Sequence, residues 1–192
     1  MSTALIVGHP DLSTSHLNAA LVAAARVVPD VDVRILSELR TDGTFDIRAE
    51  QQALSAATDV VLLYPTYWYS PPAVLKAWMD DVLARGWAYG TGGAGALTGK
   101  TLRVVTTTGG AEAGYHPGQL HSFEYEAILA PLKATAHRLG MTWATPLVIH
   151  GARDVSDEQL VDVTAAFQLL LQEAGEESAA AAAATTAEAA AA

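Results

Sequence analysis

Cysteine is absent from the 192-residue sequence. Disulfides, thiolate nucleophiles and cysteine-based zinc sites are excluded with it. Basic residues are scarce: 11 Lys and Arg stand against 21 Asp and Glu, a net charge of −10. Nucleic acid and anionic membranes need a basic face, so neither is expected as a partner. A small anionic ligand is still allowed, because a helix N-terminus binds phosphate without lysine. No run approaches the roughly 20 consecutive apolar residues of a membrane span. The opening "MSTALIVGHP" has no basic leader and reads as a first strand, so a cytoplasmic chain is expected. The turn after the first strand, "GHPDLSTSHLN", carries neither the Walker GKS or GKT ending nor the GxGxxG pattern.

What is present is a strand–helix alternation. "ALIVG" (Ala4–Gly8), "VDVRIL" (Val31–Leu36), "DVVLLY" (Asp59–Tyr64), "TLRVVTTT" (Thr101–Thr108) and the segment Thr142–Ile149 read as five strands. Helices are expected from His16, over about Ile47–Ala57, after Pro71–Pro72 with Ser70 as cap, over Glu124–Leu139 and over Asp157–Glu173. The first and third strands are continuous rather than alternating in hydrophobicity, which with the strand–helix alternation marks a parallel sheet covered on both faces. The expected fold is therefore α/β: a flavodoxin-like three-layer sandwich with a five-stranded parallel sheet in the order 2-1-3-4-5. The folded domain is expected over residues 1–173. Residues 174–192, "AGEESAAAAAATTAEAAAA", are expected to be a low-complexity tail, frayed or unstructured.

In such sheets ligands bind beyond the carboxyl ends of the strands. Three unusual loops fall there. The first, "HPDLSTSHLN", offers Ser13, Thr14, Ser15 and Asn18 plus the N–H groups of a helix start, a neutral phosphate cradle. Plain N-capping by Ser15 is the simpler alternative. The second, "PTYWYSPP", places three aromatic rings on a proline-fixed backbone, suited to gripping a flat heteroaromatic ring. It could equally be a hydrophobic plug or a subunit contact. The third, "TTTGG", allows close backbone approach, with Tyr115 and His121 downstream as proton or hydrogen-bond donors. A tight turn and a solvated histidine are the alternatives. Together the loops describe a phosphate at the first helix and an electron-accepting ring across the other two, which is FMN.

The segments "GHPDLSTSHLN", "PTYWYSPPAVLKAWMDDVLARGWAYG" and "LTGKTLRVVTTTGG" are similar to the flavodoxin-like NAD(P)H:quinone oxidoreductases. That family includes DT-diaphorase and the ancillary flavoproteins of Kef potassium-efflux systems. The resemblance runs from Leu5 to about Leu170. It implies FMN in preference to FAD, and ping-pong two-electron reduction of quinones by NADH or NADPH. It also implies a homodimer with sites at the subunit interface. Carried over by motif, the phosphate positions fall on His9, Ser15, His16, Leu17 and Asn18. The ring positions fall on Thr66, Tyr67, Trp68, Tyr69, Thr107, Thr108, Gly109 and Gly110. In the DT-diaphorase branch, a Tyr and a His at the spacing of Tyr115 and His121 assist hydride transfer. The "HPGQL" segment is closer to the Kef branch, which implies a different role: an ancillary protein that regulates a membrane cation-efflux partner. An electron-carrier flavodoxin is a third reading. The long "WAYGTGG" loop fits a substrate-binding reductase better.

Overall fold

The computed structural model describes residues 2–90 and 95–191, and for 175–191 the backbone alone. Its sheet is built from β1 (Thr3–Val7), β2 (Val31–Ile35), β3 (Asp59–Pro65), β4 (Thr101–Thr107), β5 (Thr142–Trp143) and β6 (Leu147–Ile149). All pairs are parallel and the order is β2-β1-β3-β4-β5, with β6 also on β4. Every residue of β1 and β3 is buried, as central strands covered on both faces require.

The helices are α1 (His16–Ala25), α2 (Leu36–Leu39), α3 (Ile47–Ala56), α4 (Ala73–Val82), α5 (Tyr125–Arg138) and α6 (Asp157–Ala191). The sheet separates two hydrophobic cores. On one face α3, α4 and α5 bury Leu54, Leu75, Trp78, Leu129 and Leu132. On the other α1 and α6 bury Leu17, Leu21, Phe167 and Leu171. This is the expected three-layer sandwich with the expected strand order.

Four details differ from the sequence expectation. The fifth strand is two pieces, because Pro146 has no N–H to give to β4. Thr142 pairs with Thr101 before the break, and Ile149 with Thr107 after it. Leu36 ends no strand but starts the single turn α2. Ser70 does not cap α4. Pro72 stands at the cap position without a side-chain bond, while the Ser70 hydroxyl donates back to the Tyr67 carbonyl at 3.2 Å. The last helix continues past Glu173 to Ala191 in its backbone, in keeping with the high helix propensity of alanine. Part of the expected glycine-rich loop, residues 91–94, lies outside the described residues.

One buried polar cluster ties three elements together. Glu50 on α3, 2% exposed, accepts from Arg34 of β2 at 2.5 and 3.0 Å and from the Trp78 indole of α4 at 2.9 Å. A buried carboxylate survives only with such partners. No described helix is long and apolar enough to cross a membrane.

Candidate functional site

Parallel register brings the carboxyl ends of the strands to one edge. Val7 stands beside Leu63, Pro65 beside Thr107, and Thr107 beside Ile149. The loops that leave these ends enclose a cleft of about 460 Å³, within the size range of small-molecule sites. The loop after β1 (loop 1) contributes His9 and Thr14 to Asn18, the loop after β3 (loop 3) contributes Pro65 to Tyr67, and the end of β4 with the loop after it (loop 4) contributes Thr107 to Gly109. The chain carries 21 acidic residues, yet among the described residues no carboxylate lines the cleft. That composition suits an anionic guest.

Loop 1 folds upon itself before α1 begins. The Ser13 hydroxyl donates to the Asp11 carboxylate at 2.6 Å and Thr14 to the Asp11 carbonyl at 2.8 Å. These two hydroxyl protons are therefore spent inside the loop, against the expectation that they face a ligand. Ser15 does cap α1, accepting from the Asn18 N–H at 3.2 Å. Its own hydroxyl proton stays available. The N–H groups of His16 and Leu17, in the first turn, have no acceptor among the described residues. The Leu17 side chain is 3% exposed and belongs to the core, so this position can meet a ligand only through its backbone. Nδ1 of His9 accepts the Asp11 N–H at 3.1 Å, which leaves Nε2–H as its donor. Burial lowers the His9 pKa, against a smaller upward pull from Asp11.

Asn18 is buried and joins two loops. Its Nδ2 donates to Ser15 Oγ and to Thr107 Oγ1, both at 3.1 Å. Its Oδ1 is buried with no partner. A buried acceptor in that state costs stability unless a donor arrives. Together with the open N–H groups of α1, it fits a phosphorylated polyol such as the ribityl phosphate of a flavin nucleotide.

Thr66 lines the cleft, but its hydroxyl is committed below it, to Thr106 Oγ1 at 2.9 Å and to the Tyr125 hydroxyl. Tyr67, Trp68, Tyr69 and Ser70 form a two-residue hairpin closed by backbone bonds of 3.0 and 3.1 Å. Trp68 and Tyr69 both have left-handed backbones, with φ of 48° and 62°. Asn and Gly are the usual residues at such positions, and bulky side chains there store strain. Tyr67 and Tyr69 are half-exposed, and Trp68 is 93% exposed. Only Tyr67 of the three reaches the cleft.

Tyr115 and His121 do not line the cleft. They form an adjoining aromatic group with Tyr69. The Tyr115 and His121 rings stack at 4.0 Å between centroids. The Tyr115 hydroxyl meets Thr108 Oγ1 at 2.5 Å, and the Tyr69 hydroxyl lies 3.3 Å from His121 Nδ1. His121 Nε2 is buried without a partner. The two glycines of loop 4 are explained by this packing. A side chain at Gly110 would stand 2.5 Å from His121 Nε2 and 3.0 Å from the Tyr115 ring, and one at Gly109 would stand 3.0 Å from Arg153 Nε. The close approach expected of a ligand is here made by the chain's own side chains. The Gly109 N–H has no acceptor among the described residues.

Two contributors were not anticipated. Ala152 and Arg153, after β6, complete the cleft wall. His150, at the end of β6, packs its ring 5.3 Å from Tyr115 and 5.4 Å from Tyr125. Its Nδ1 has no partner. Burial lowers the His150 pKa, opposed by Glu112 and by the Gly110 backbone. The signal for both was positional: they follow a strand that ends at the same edge. Among the described residues no group of three His, Asp or Glu could hold a metal ion.

Comparison with known proteins agrees with this architecture. A family model described as flavodoxin-like fold matches residues 1–171. The glutathione-regulated potassium-efflux system ancillary protein KefF of Salmonella arizonae is 43% identical over 160 residues, covering 81% of this chain and 87% of that protein. The structure of general stress protein 14 from Treponema denticola in complex with FMN superposes with a TM-score of 0.85 at 26% identity, over 91% of this chain and 99% of that one. An NADPH-quinone reductase from P. pentosaceus superposes with a TM-score of 0.79 at 28% identity, over 89% and 98%. The chain is thus a relative of KefF and belongs to the flavodoxin-like fold family.

Proposed function

We propose that this chain binds FMN in the cleft and reduces quinones or similar acceptors, two electrons at a time, with NADH or NADPH as donor. The observation that carries the reading is a cleft, free of carboxylates among the described residues, between the open N-terminus of α1 and the Tyr67 and Gly109 backbones. The His16 and Leu17 N–H groups, the Ser15 hydroxyl and His9 Nε2–H would hold the phosphate. Asn18 Oδ1 would take a ribityl hydroxyl. The Gly109 N–H and the Tyr67 ring would meet the flavin ring. Bound FMN supplies the redox chemistry, accepting two electrons and a proton from a nicotinamide and passing them to the acceptor. Tyr115 and His121, held beside the cleft by Thr108 and Tyr69 respectively, would serve as proton donors. The FMN-bound and quinone-reductase relatives support the reading. A homodimer is part of it, supported by the exposed apolar side chains of Trp68, Leu120 and Phe123 on loops 3 and 4. So is a cytoplasmic location.

The test is a visible spectrum of the purified protein, an anaerobic NAD(P)H titration and re-oxidation by a quinone. A yellow protein that bleaches and recovers is expected. A colourless protein that takes up no added FMN overturns the reading. The second reading, an ancillary subunit of a Kef-type potassium-efflux system, is favoured by the 43% identity to KefF. Co-purification with a membrane potassium-efflux protein would distinguish it.

A further inference from the structure

Arg153 is placed on the cleft by an unusually well-anchored turn. Three backbone bonds join the segment after β6 to loop 4: Thr108 N–H to the Ile149 carbonyl at 2.9 Å, Ala152 N–H to the Thr108 carbonyl at 2.9 Å, and Gly151 N–H to the Gly110 carbonyl at 3.1 Å. Gly151 takes a left-handed φ of 66° to make the turn. Asp154 N–H closes it on the Gly151 carbonyl at 2.9 Å. The backbone of Arg153 is therefore fixed. Its side chain is exposed and lies over Gly109: a Cβ built there would stand 3.0 Å from Nε and 3.5 Å from Cζ. No carboxylate lies within ion-pair distance of it among the described residues. Among the described residues it is the one Lys or Arg in the cleft wall.

We propose that Arg153 is the charge-bearing residue of the site, and that it favours the reduced, anionic form of the bound flavin over the oxidised form. This rests on the reading that FMN occupies the cleft with its ring at Gly109. A neutral ring that takes up a hydride gains two electrons and one proton, hence one negative charge, while the nicotinamide leaves as its oxidised cation. A guanidinium at the ring edge attracts that charge and is indifferent to the neutral ring. Glycine at position 109 is what lets the guanidinium reach the backbone there. The chain's own net charge of −10 opposes charge build-up in the site, so a local cation is the counterweight.

The experiment compares wild type with Arg153→Gln and Arg153→Lys. FMN and riboflavin dissociation constants are measured in the oxidised and dithionite-reduced states, and the midpoint potential by dye equilibration. Arg153→Gln is expected to leave oxidised FMN within about threefold and to weaken reduced FMN by about tenfold, a drop of about 30 mV for a two-electron couple. Arg153→Lys is expected to recover most of the shift, and added salt to shrink the wild-type difference. Equal weakening of FMN in both states, with riboflavin unaffected, would make Arg153 a phosphate contact and overturn the proposal. So would unchanged constants in every state. A wild-type protein that binds neither flavin instead overturns the FMN reading, and this proposal with it.

Discussion

Asn18 Nδ2 on α1 lies 3.1 Å from Thr107 Oγ1 at the end of β4, a link across 89 positions of sequence. The same Nδ2 also donates to Ser15 Oγ, while Oδ1 is left unpartnered. Asn18→Leu removes this clasp and the orphaned acceptor together. It is expected to cost about 1–3 kcal/mol in urea unfolding and to weaken FMN binding about tenfold. Thr107→Val should cost less, and the double variant should show a coupling of about 0.5–3 kcal/mol. Strict additivity would mean the two side chains do not cooperate.

Glu50 should be a costly side chain to lose outside the cleft. Glu50→Ala leaves the Arg34 guanidinium and the Trp78 indole without their shared acceptor. Arg34 keeps Asp32 at 3.0 Å, so a loss of about 1.5–3 kcal/mol is expected in equilibrium unfolding. Activity per folded molecule should not change, because none of the three residues lines the cleft.

The hairpin at Trp68 and Tyr69 should trade stability against function. Two left-handed aromatic residues cost about 1–3 kcal/mol each. Replacing the pair with Asn-Gly, the residues that turn prefers, is expected to stabilise the fold by about 1 kcal/mol net. Little packing is lost at Trp68, which is 93% exposed. The same change removes the Tyr69 hydroxyl from His121, so quinone turnover should fall. A less stable protein with full turnover would contradict the strain argument on both counts.

His121 can be tested without disturbing the cleft lining. His121→Ala is expected to keep FMN within about threefold and to slow the quinone half-reaction about a hundredfold in stopped-flow records. Equal rates for both half-reactions before and after substitution would remove His121 from the chemistry.

Acid should destabilise the protein through His9 and His150. Burial, the larger influence at both, holds these imidazoles below their ordinary value of 6.5. As pH falls, the unfolded chain takes up protons before the folded one does. The stability from the neutral rings is fully present above 6.5 and is lost as pH falls towards the lowered folded values. The urea midpoint should drop between about pH 7.5 and 5.5, and His9→Asn with His150→Asn should flatten that slope. An unchanged slope in the double variant would assign the effect to other groups.

The sheet was legible because β1 and β3 carry the continuous apolar runs Ala4–Val7 and Val60–Tyr64, a pattern that a doubly covered strand needs. The edge of the sheet was less so. A proline inside the last strand divides it, and a chain read by hydrophobicity alone runs straight through. The three loops of the cleft were found from their position after strands and their odd composition. Residue roles within them were not. Ser13 and Thr14 have the chemistry of phosphate donors, but the loop spends them on Asp11. Trp68 has the surface to cover a ring, but its backbone conformation turns it to solvent. Arg153 and His150 escaped notice because "HGARD" carries no composition signal. Their importance comes from β6 lying against β4, a tertiary fact.

The Leu17 position divides its labour along one residue: its side chain is sunk among the α1–α6 contacts while its N–H stands open at the helix start. A ligand held there is recognised by the main chain, which every residue but proline possesses. Saturation mutagenesis would therefore score position 17 as part of the core and position 16 as tolerant. The anchor for the ligand would be invisible in such a map, revealed only by proline, the one substitution that removes the donor itself.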